Sequence, residues 1–400
     1  MLGRTFIIVL DGVGAGELPD AARFGDLGSN TLGNTARSVG GLALPTLGRL
    51  GLGNIVDIPG VAPVGHALGS WGKAAERSPG KDTQTGHWEM AGLPLDFAFR
   101  TYPDGFPDEI IDAFVAATGR GVLCNAPASG TEVIERFGPE HEHTGKWIVY
   151  TSGDSVFQIA AHQGVIELDE LYAACQKARD ILTGPHTVGR VIARPFFGQA
   201  GAYRRDQGAR HDYSVKPPGL TILDHAGKAG RKVIGVGKIH DIFAGVGVQE
   251  SIHTAENSEG MAATLQLAGS APDGALVFTN LVDTDSMFGH RNDAQGMARA
   301  LEVFDGQLAQ LLPALRADDL LILTADHGND PTDVSTDHTR EYIPIVAYRP
   351  GVPGLPLGIR EGFGDIAATI AEGWSLEGDL VGSSFWSILA AGDPARTPAR

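Results

Sequence analysis

Three apolar runs spread along the chain each end in aspartate: FIIVLD at Asp11, LVFTNLVDTD at Asp283 and Asp285, and LLILTAD at Asp326. Short runs of Ile, Leu, Val and Phe that stop abruptly at a polar residue read as strands buried on both faces, the kind found in parallel sheets. In an open parallel sheet the carboxyl ends of the strands form the ligand crevice. A single aspartate there could be a helix cap. Three of them predict that carboxylates far apart in sequence meet at one edge.

The outer parts of the chain support this. Strand-like runs at 5–10, 232–236, 275–282, 320–324 and 343–348 interleave with helix-like stretches at 221–229, 294–312 and 365–372. That alternation predicts an α/β core with a largely parallel sheet covered by helices on both faces. The middle reads as an insertion, with strands at 121–125, 147–150 and 190–195 and helices at 108–118 and 169–182. We expect a discontinuous core of residues 1–99 and 216–400 and a smaller inserted α/β cap, or lid, of residues 100–215, ending near Lys216-Pro217-Pro218, where no helix can continue. The closing GDPARTPAR reads as a frayed tail.

Charge narrows the partners. With 31 basic against 48 acidic residues the net charge is −17, which disfavours nucleic acid and anionic membranes. A phosphorylated substrate would need bound cations or clustered arginines. No apolar run approaches the roughly 20 residues of a membrane span, and the start lacks the pattern of a signal peptide, so a cytoplasmic protein is expected. Cys124 and Cys175 have no CxxC spacing and predict neither a disulfide nor a zinc site. The glycines at 12, 14 and 16 complete no nucleotide-binding motif, and Gly12, which follows Asp11, is better explained by close backbone approach to a metal site.

Histidines accompany the aspartates: His290 follows Asp285 in DTDSMFGH, His327 follows Asp326 in TADHGND, and His338 sits in TDHTRE. Imidazole with carboxylate suits divalent transition ions, whereas calcium prefers oxygen alone. Asp11, Asp285, His290, Asp326, His327 and His338 suffice for two ions, and two ions about 3.5–4 Å apart can clamp an oxygen nucleophile against a phosphoryl group. The glycine-flanked GKDTQTGH segment offers Thr83 and Thr85 as that nucleophile, and residue chemistry alone does not separate them. Asp82-Thr83 could equally just open a helix.

Taken together, LDGVGAGELPDA, FGDLGSNTLGN, GKDTQTGHWEMAG, PASGTE, YTSGDSVFQIAAH, VGRVIARPF, RHDYSVKP, GKIHDIFAG, NLVDTDSMFGHRND and LLILTADHGNDPTDVSTDHTREYIP run through nearly the whole chain. This pattern resembles phosphopentomutases, a branch of the alkaline phosphatase superfamily related to cofactor-independent phosphoglycerate mutases. The resemblance implies an alkaline-phosphatase-like core. It also implies interconversion of ribose 1-phosphate and ribose 5-phosphate, or their 2-deoxy equivalents, through phosphorylated Thr83 and a 1,5-bisphosphate intermediate. Asp11, Asp326 and His327 would hold one ion and Asp285, His290 and His338 the other. Both would be Mn²⁺, and a sugar bisphosphate would prime the enzyme.

A second anion site for the non-reacting phosphate is expected among Arg190, Arg205, Arg210, His211 and Lys238, since arginine forks match phosphate oxygens, with Asp154 at a sugar hydroxyl. Three rivals remain. One is a phosphatase or phosphodiesterase of the same superfamily, which would hand the phosphoryl group to water. Another is a phosphoglycerate mutase, whose nucleophile is typically serine. The third is a non-catalytic metal-binding scaffold.

Overall fold

The computed structural model describes residues 2–391 apart from Asp154. That aspartate and the closing GDPARTPAR therefore lie outside the described residues. The chain divides into two units, Met1–Ala98 with Pro217–Arg400, and Phe99–Lys216. No helix among the described residues is long and apolar enough to cross a membrane.

The larger unit is built on an eight-stranded sheet. Its order is Glu250–Ile252, Val233–Val236, Leu276–Leu281, Thr5–Leu10, Leu320–Thr324, Ile343–Tyr348, Ser70–Ala74, Pro356–Arg360. The three central strands are buried along their whole length, which is why their sequences are mostly apolar. Helices Thr31–Val39, Pro45–Leu50, Asn257–Ser270 and Ala294–Leu311 pack among themselves, as do Thr83–Met90, Ile239–Ile242, Asp365–Trp374 and Trp386–Ala391. Ile343–Tyr348 runs antiparallel to both its neighbours, so the sheet is mixed. The chain returns there directly from the 326–342 loops, with no crossover helix to reverse its direction.

Parallel register does the rest. Leu10 lies opposite Leu281, and Val9 lies opposite Thr324. One or two steps further on, Asp11, the 282–285 turn and Asp326 leave the sheet at the same edge.

Behind the opposite edge, Arg4 forks onto Asp319 through Nε and Nη2 at 3.0 and 2.5 Å, while its Nη1 donates to the Ala268 carbonyl at 2.8 Å. Both side chains are buried. Arg4→Ala would leave Asp319 charged and unpaired, and we expect it to cost about 3–5 kcal/mol in urea denaturation. A loss below about 1 kcal/mol, the size of an exposed pair, would contradict this.

In the smaller unit, strands Val122–Pro127, Trp147–Thr151, Val156–His162, Arg190–Phe197 and Arg204–Arg205 lie side by side, and His211–Ser214 also pairs with Arg190–Phe197. Alternation decides its two cores. Trp147, Val149, Phe157, Ile159, Val191 and Ala193 face helices Asp108–Thr118 and Leu168–Ile181, whereas Ile148, Tyr150, Ala160 and Phe196 face helix Gly130–Thr144. Cys175 is buried in the first core and Cys124 is half-buried; both are free thiols.

Candidate active site

The carboxylates and histidines converge within the larger unit. Asp285, His327 and His338 each bring one donor atom to within 4.8 Å of the others, and so do Asp11, Asp326 and His327. His290 joins the first group, with its Nε2 3.4 Å from Asp285 Oδ2 and 3.1 Å from His338 Nε2. His327 Nε2 stands 3.4 Å from both Asp11 Oδ1 and Asp326 Oδ2, so it lies at the seam of the two groups. Asp283 lies outside them: its carboxylate accepts the Asn257 amide and caps helix Asn257–Ser270.

The arrangement fits divalent cations. Asp11 Oδ1 and Asp326 Oδ2 are buried without a hydrogen bond among the described residues, although histidine rings stand within ion-pair distance. His290 Nδ1 donates to the Thr336 carbonyl at 2.6 Å and His327 Nδ1 to the Gly328 carbonyl at 3.1 Å, which leaves each Nε2 to face the carboxylates. Two ring nitrogens at 3.1 Å, His290 and His338, share one acceptor-rich space, as ligands of one ion do.

The electrostatics agree. Burial, then the charge of Asp326, pushes the Asp11 carboxyl above its ordinary range. Burial would also raise Asp285, but His338 and hydrogen bonds from His290 and His338 hold it well below that range. Asp326 is likewise lowered against burial, by His327 and His87. Burial works to lower His327, yet Asp326, Asp11 and Asp285 raise it well above an ordinary histidine.

The two threonines differ. Asp82 caps helix Thr83–Met90, accepting the Thr85 amide at 3.1 Å and the Thr85 hydroxyl at 2.6 Å. Thr85 is therefore buried and engaged by the cap. Thr83 opens the helix with Oγ1 3.2 Å from His327 Nε2, pointing at the seam. Gly86 permits this approach, because a side chain there would collide with the Asp326 carbonyl. Gly12, in the left-handed region at φ 74°, packs against Asn329 and Asp285 and donates its amide to Asp326 Oδ1 at 3.1 Å.

The chain matches the Metalloenzyme superfamily model over residues 3–377. It is 54% identical over 386 residues to the phosphopentomutase of Caldanaerobacter subterraneus subsp. tengcongensis, covering 96% of this chain and 98% of that one. The chain belongs to the phosphopentomutase family. The phosphopentomutases of Dictyoglomus thermophilum, 52% identical over 97% of this chain and 99% of theirs, and Carboxydothermus hydrogenoformans, 54% over 96% and 99%, agree. Among solved structures, a Leishmania mexicana phosphoglycerate mutase matches over 96% of this chain and 97% of its own, at 12% identity and a TM-score of 0.48.

Some residues at this phosphopentomutase-family site escaped the sequence reading. His87 is fully buried, with Nδ1 2.8 Å from the Thr83 carbonyl and 3.2 Å from Asp326 Oδ2. Asn280 donates to Asp11 Oδ2 at 2.8 Å and Asn329 to Asp285 Oδ1 at 2.7 Å. The signals were present: His87 stands one helical turn after Thr83, and Asn280 is a lone amide inside an apolar strand.

The expected phosphate ligands separate. In the smaller unit Arg210 forks onto Asp212 at 2.7 and 2.7 Å, and Arg190 Nη1 stands 3.6 Å from the same carboxylate. Arg205, opposite Phe196, and Arg194 belong to this face. Burial would raise Asp212, but Arg210, Arg190 and Arg194 hold it low. His211 pairs opposite Ala193 on the other face, its ring against Tyr172 and Tyr213. Strand alternation sets it apart from the arginines. Lys238, in the larger unit, is exposed at the head of Ile239–Ile242.

Proposed function

We propose that this chain interconverts the 1- and 5-phosphates of ribose or 2-deoxyribose by passing a phosphoryl group through Thr83. Membership of the phosphopentomutase family makes it an isomerase acting on pentose phosphates. The observation that carries the covalent route is the Thr83 hydroxyl, 3.2 Å from His327 Nε2 at the seam of two metal-ligand groups. Asp11, Asp326 and His327 would hold one divalent ion and Asp285, His290 and His338 a second, with Mn²⁺ suited to the mixed oxygen and imidazole donors. Bound there, the ions would lower the hydroxyl pKa and neutralise the phosphoryl oxygens.

The chain's own residues supply position. Asp82 and His87 fix the first turn of the helix, so Thr83 Oγ1 stays aimed while phosphorus moves. Phosphorylated Thr83 gives its phosphoryl group to the free hydroxyl oxygen of a pentose monophosphate, breaking the Thr83 Oγ–P bond and making the 1,5-bisphosphate, while the hydroxyl proton ends on Thr83 Oγ1. The other phosphate then returns to Thr83, and its sugar oxygen leaves with a proton. A sugar bisphosphate would prime unphosphorylated enzyme. The test compares ribose phosphate isomerisation with release of inorganic phosphate in one reaction. Isomerisation should dominate, and comparable phosphate release would make the protein a hydrolase.

Arg190, Arg205 and Arg210 are our candidates for the non-reacting phosphate, supported by the cationic face around Asp212. Since a charge-assisted hydrogen bond contributes about 1.5–3 kcal/mol, Arg205→Ala should raise KM for ribose 5-phosphate by on the order of 10- to 100-fold. His211→Ala should change it little, being on the opposite face. Equal effects of the two substitutions in steady-state kinetics would contradict the placement.

A further inference from the structure

Residues 75–82, which lead into Thr83, form neither helix nor strand, so their backbone groups need partners from elsewhere. Two buried charged side chains supply them. Arg340 Nη1 donates to the carbonyls of Ser78 at 2.8 Å and Gly80 at 2.6 Å and to Glu76 Oε2 at 2.6 Å, while Nη2 reaches the Glu76 carbonyl at 3.1 Å. Glu89, on the Thr83 helix, accepts the amides of Arg77 and Ser78 and the Ser78 hydroxyl. Carbonyls of this irregular segment are thus held by Arg340 and its amides by Glu89.

Arg340 is two residues past His338, and its side chain is 3% exposed. Its amide donates to Asp26 Oδ2 at 2.8 Å, and the same carboxylate takes Lys81 Nζ at 3.1 Å. Lys81 also stands 3.3 Å from Asp337, the neighbour of His338. The segment before the nucleophile and the segment bearing a metal ligand are therefore joined by side chains that do not reach the reacting atoms.

We infer that Arg340 is a positioning residue for phosphoryl transfer, locking residues 76–82, and through them the Thr83 hydroxyl, to the segment that carries His338. The inference rests on Thr83 being the acceptor. A guanidinium fits because its planar fork holds two nitrogens apart, Nη1 on the Ser78 and Gly80 carbonyls and Nη2 on the Glu76 carbonyl, where lysine offers a single nitrogen. Misplacing a nucleophile by about 1 Å can cost on the order of 10²-fold in rate without loss of substrate binding.

The test uses Mn²⁺-loaded full-length Arg340→Lys and Arg340→Ala beside the unsubstituted enzyme. We expect kcat to fall by on the order of 10²-fold in both, with KM for ribose 5-phosphate within about threefold and bound manganese unchanged. Millimolar guanidinium, but not sodium chloride, should restore part of the Arg340→Ala rate. The inference is overturned by kcat within about twofold of the unsubstituted enzyme, by a loss that tracks missing manganese or unfolded protein, or by failure of both variants to fold. Phosphopeptide mapping of the unsubstituted enzyme runs in parallel. No phosphate on Thr83 there would remove the underlying reading, whereas phosphate on Thr83 with unchanged Arg340 variants would remove only the positioning role.

Discussion

Thr83→Val should lower kcat by on the order of 10⁶-fold, the scale seen when a covalent nucleophile is deleted, while both metal-ligand groups persist. Valine keeps the shape and removes the single hydroxyl aimed at His327 Nε2. Thr85→Val makes the contrast, since that hydroxyl is given to the Asp82 cap and not to the seam. Losing one cap hydrogen bond costs about 1 kcal/mol of stability, and kcat should stay within about tenfold of the unsubstituted enzyme. Measured kcat with bound Mn²⁺ quantified in each variant checks both statements. Equal collapse of the two variants, or survival of Thr83→Val, would show that the hydroxyl is not the acceptor.

Stripping divalent metal should abolish isomerisation and weaken the fold around the site. Asp11 and Asp326 are buried just past the ends of their strands, and gathering carboxylates in a buried place is unfavourable unless cations meet them. A site held at a thousandfold excess over its Kd contributes about 4 kcal/mol to stability, so the chelated protein should unfold at clearly lower urea concentration. Added Mn²⁺ should restore both rate and midpoint. Asp326→Asn should imitate chelation, because this carboxylate also accepts the Gly12 amide and faces His87. Chelated protein, verified metal-free, with full turnover and an unchanged midpoint would contradict the two-ion site.

The elements visible in the sequence were those whose pattern is set by burial on both sides. Thr5–Leu10, Leu276–Leu281 and Leu320–Thr324 are mostly apolar because both their faces are buried, and that same burial makes the aspartates that follow them conspicuous. The reversed direction of Ile343–Tyr348 was not legible, since an apolar run carries no sign of strand direction. Nor could spacing decide between Thr83 and Thr85. The difference lies in which hydroxyl the Asp82 cap consumes, and that depends on where the helix begins. His211 looked like part of an arginine cluster because sequence neighbours suggest spatial neighbours. In a strand, the period of two sends Asp212 to one face and His211 to the other. Asn329 was hidden differently, as its partner Asp285 lies far away in sequence.

The most direct test of phosphoryl transfer through Thr83 is mass spectrometry of the Mn²⁺-loaded protein after exposure to ribose 1,5-bisphosphate. One added phosphate should map to Thr83, and it should disappear when ribose 5-phosphate is then supplied in excess. Phosphate on Thr85 or elsewhere with Thr83 unmodified, or turnover with no phosphorylated protein at all, would contradict it.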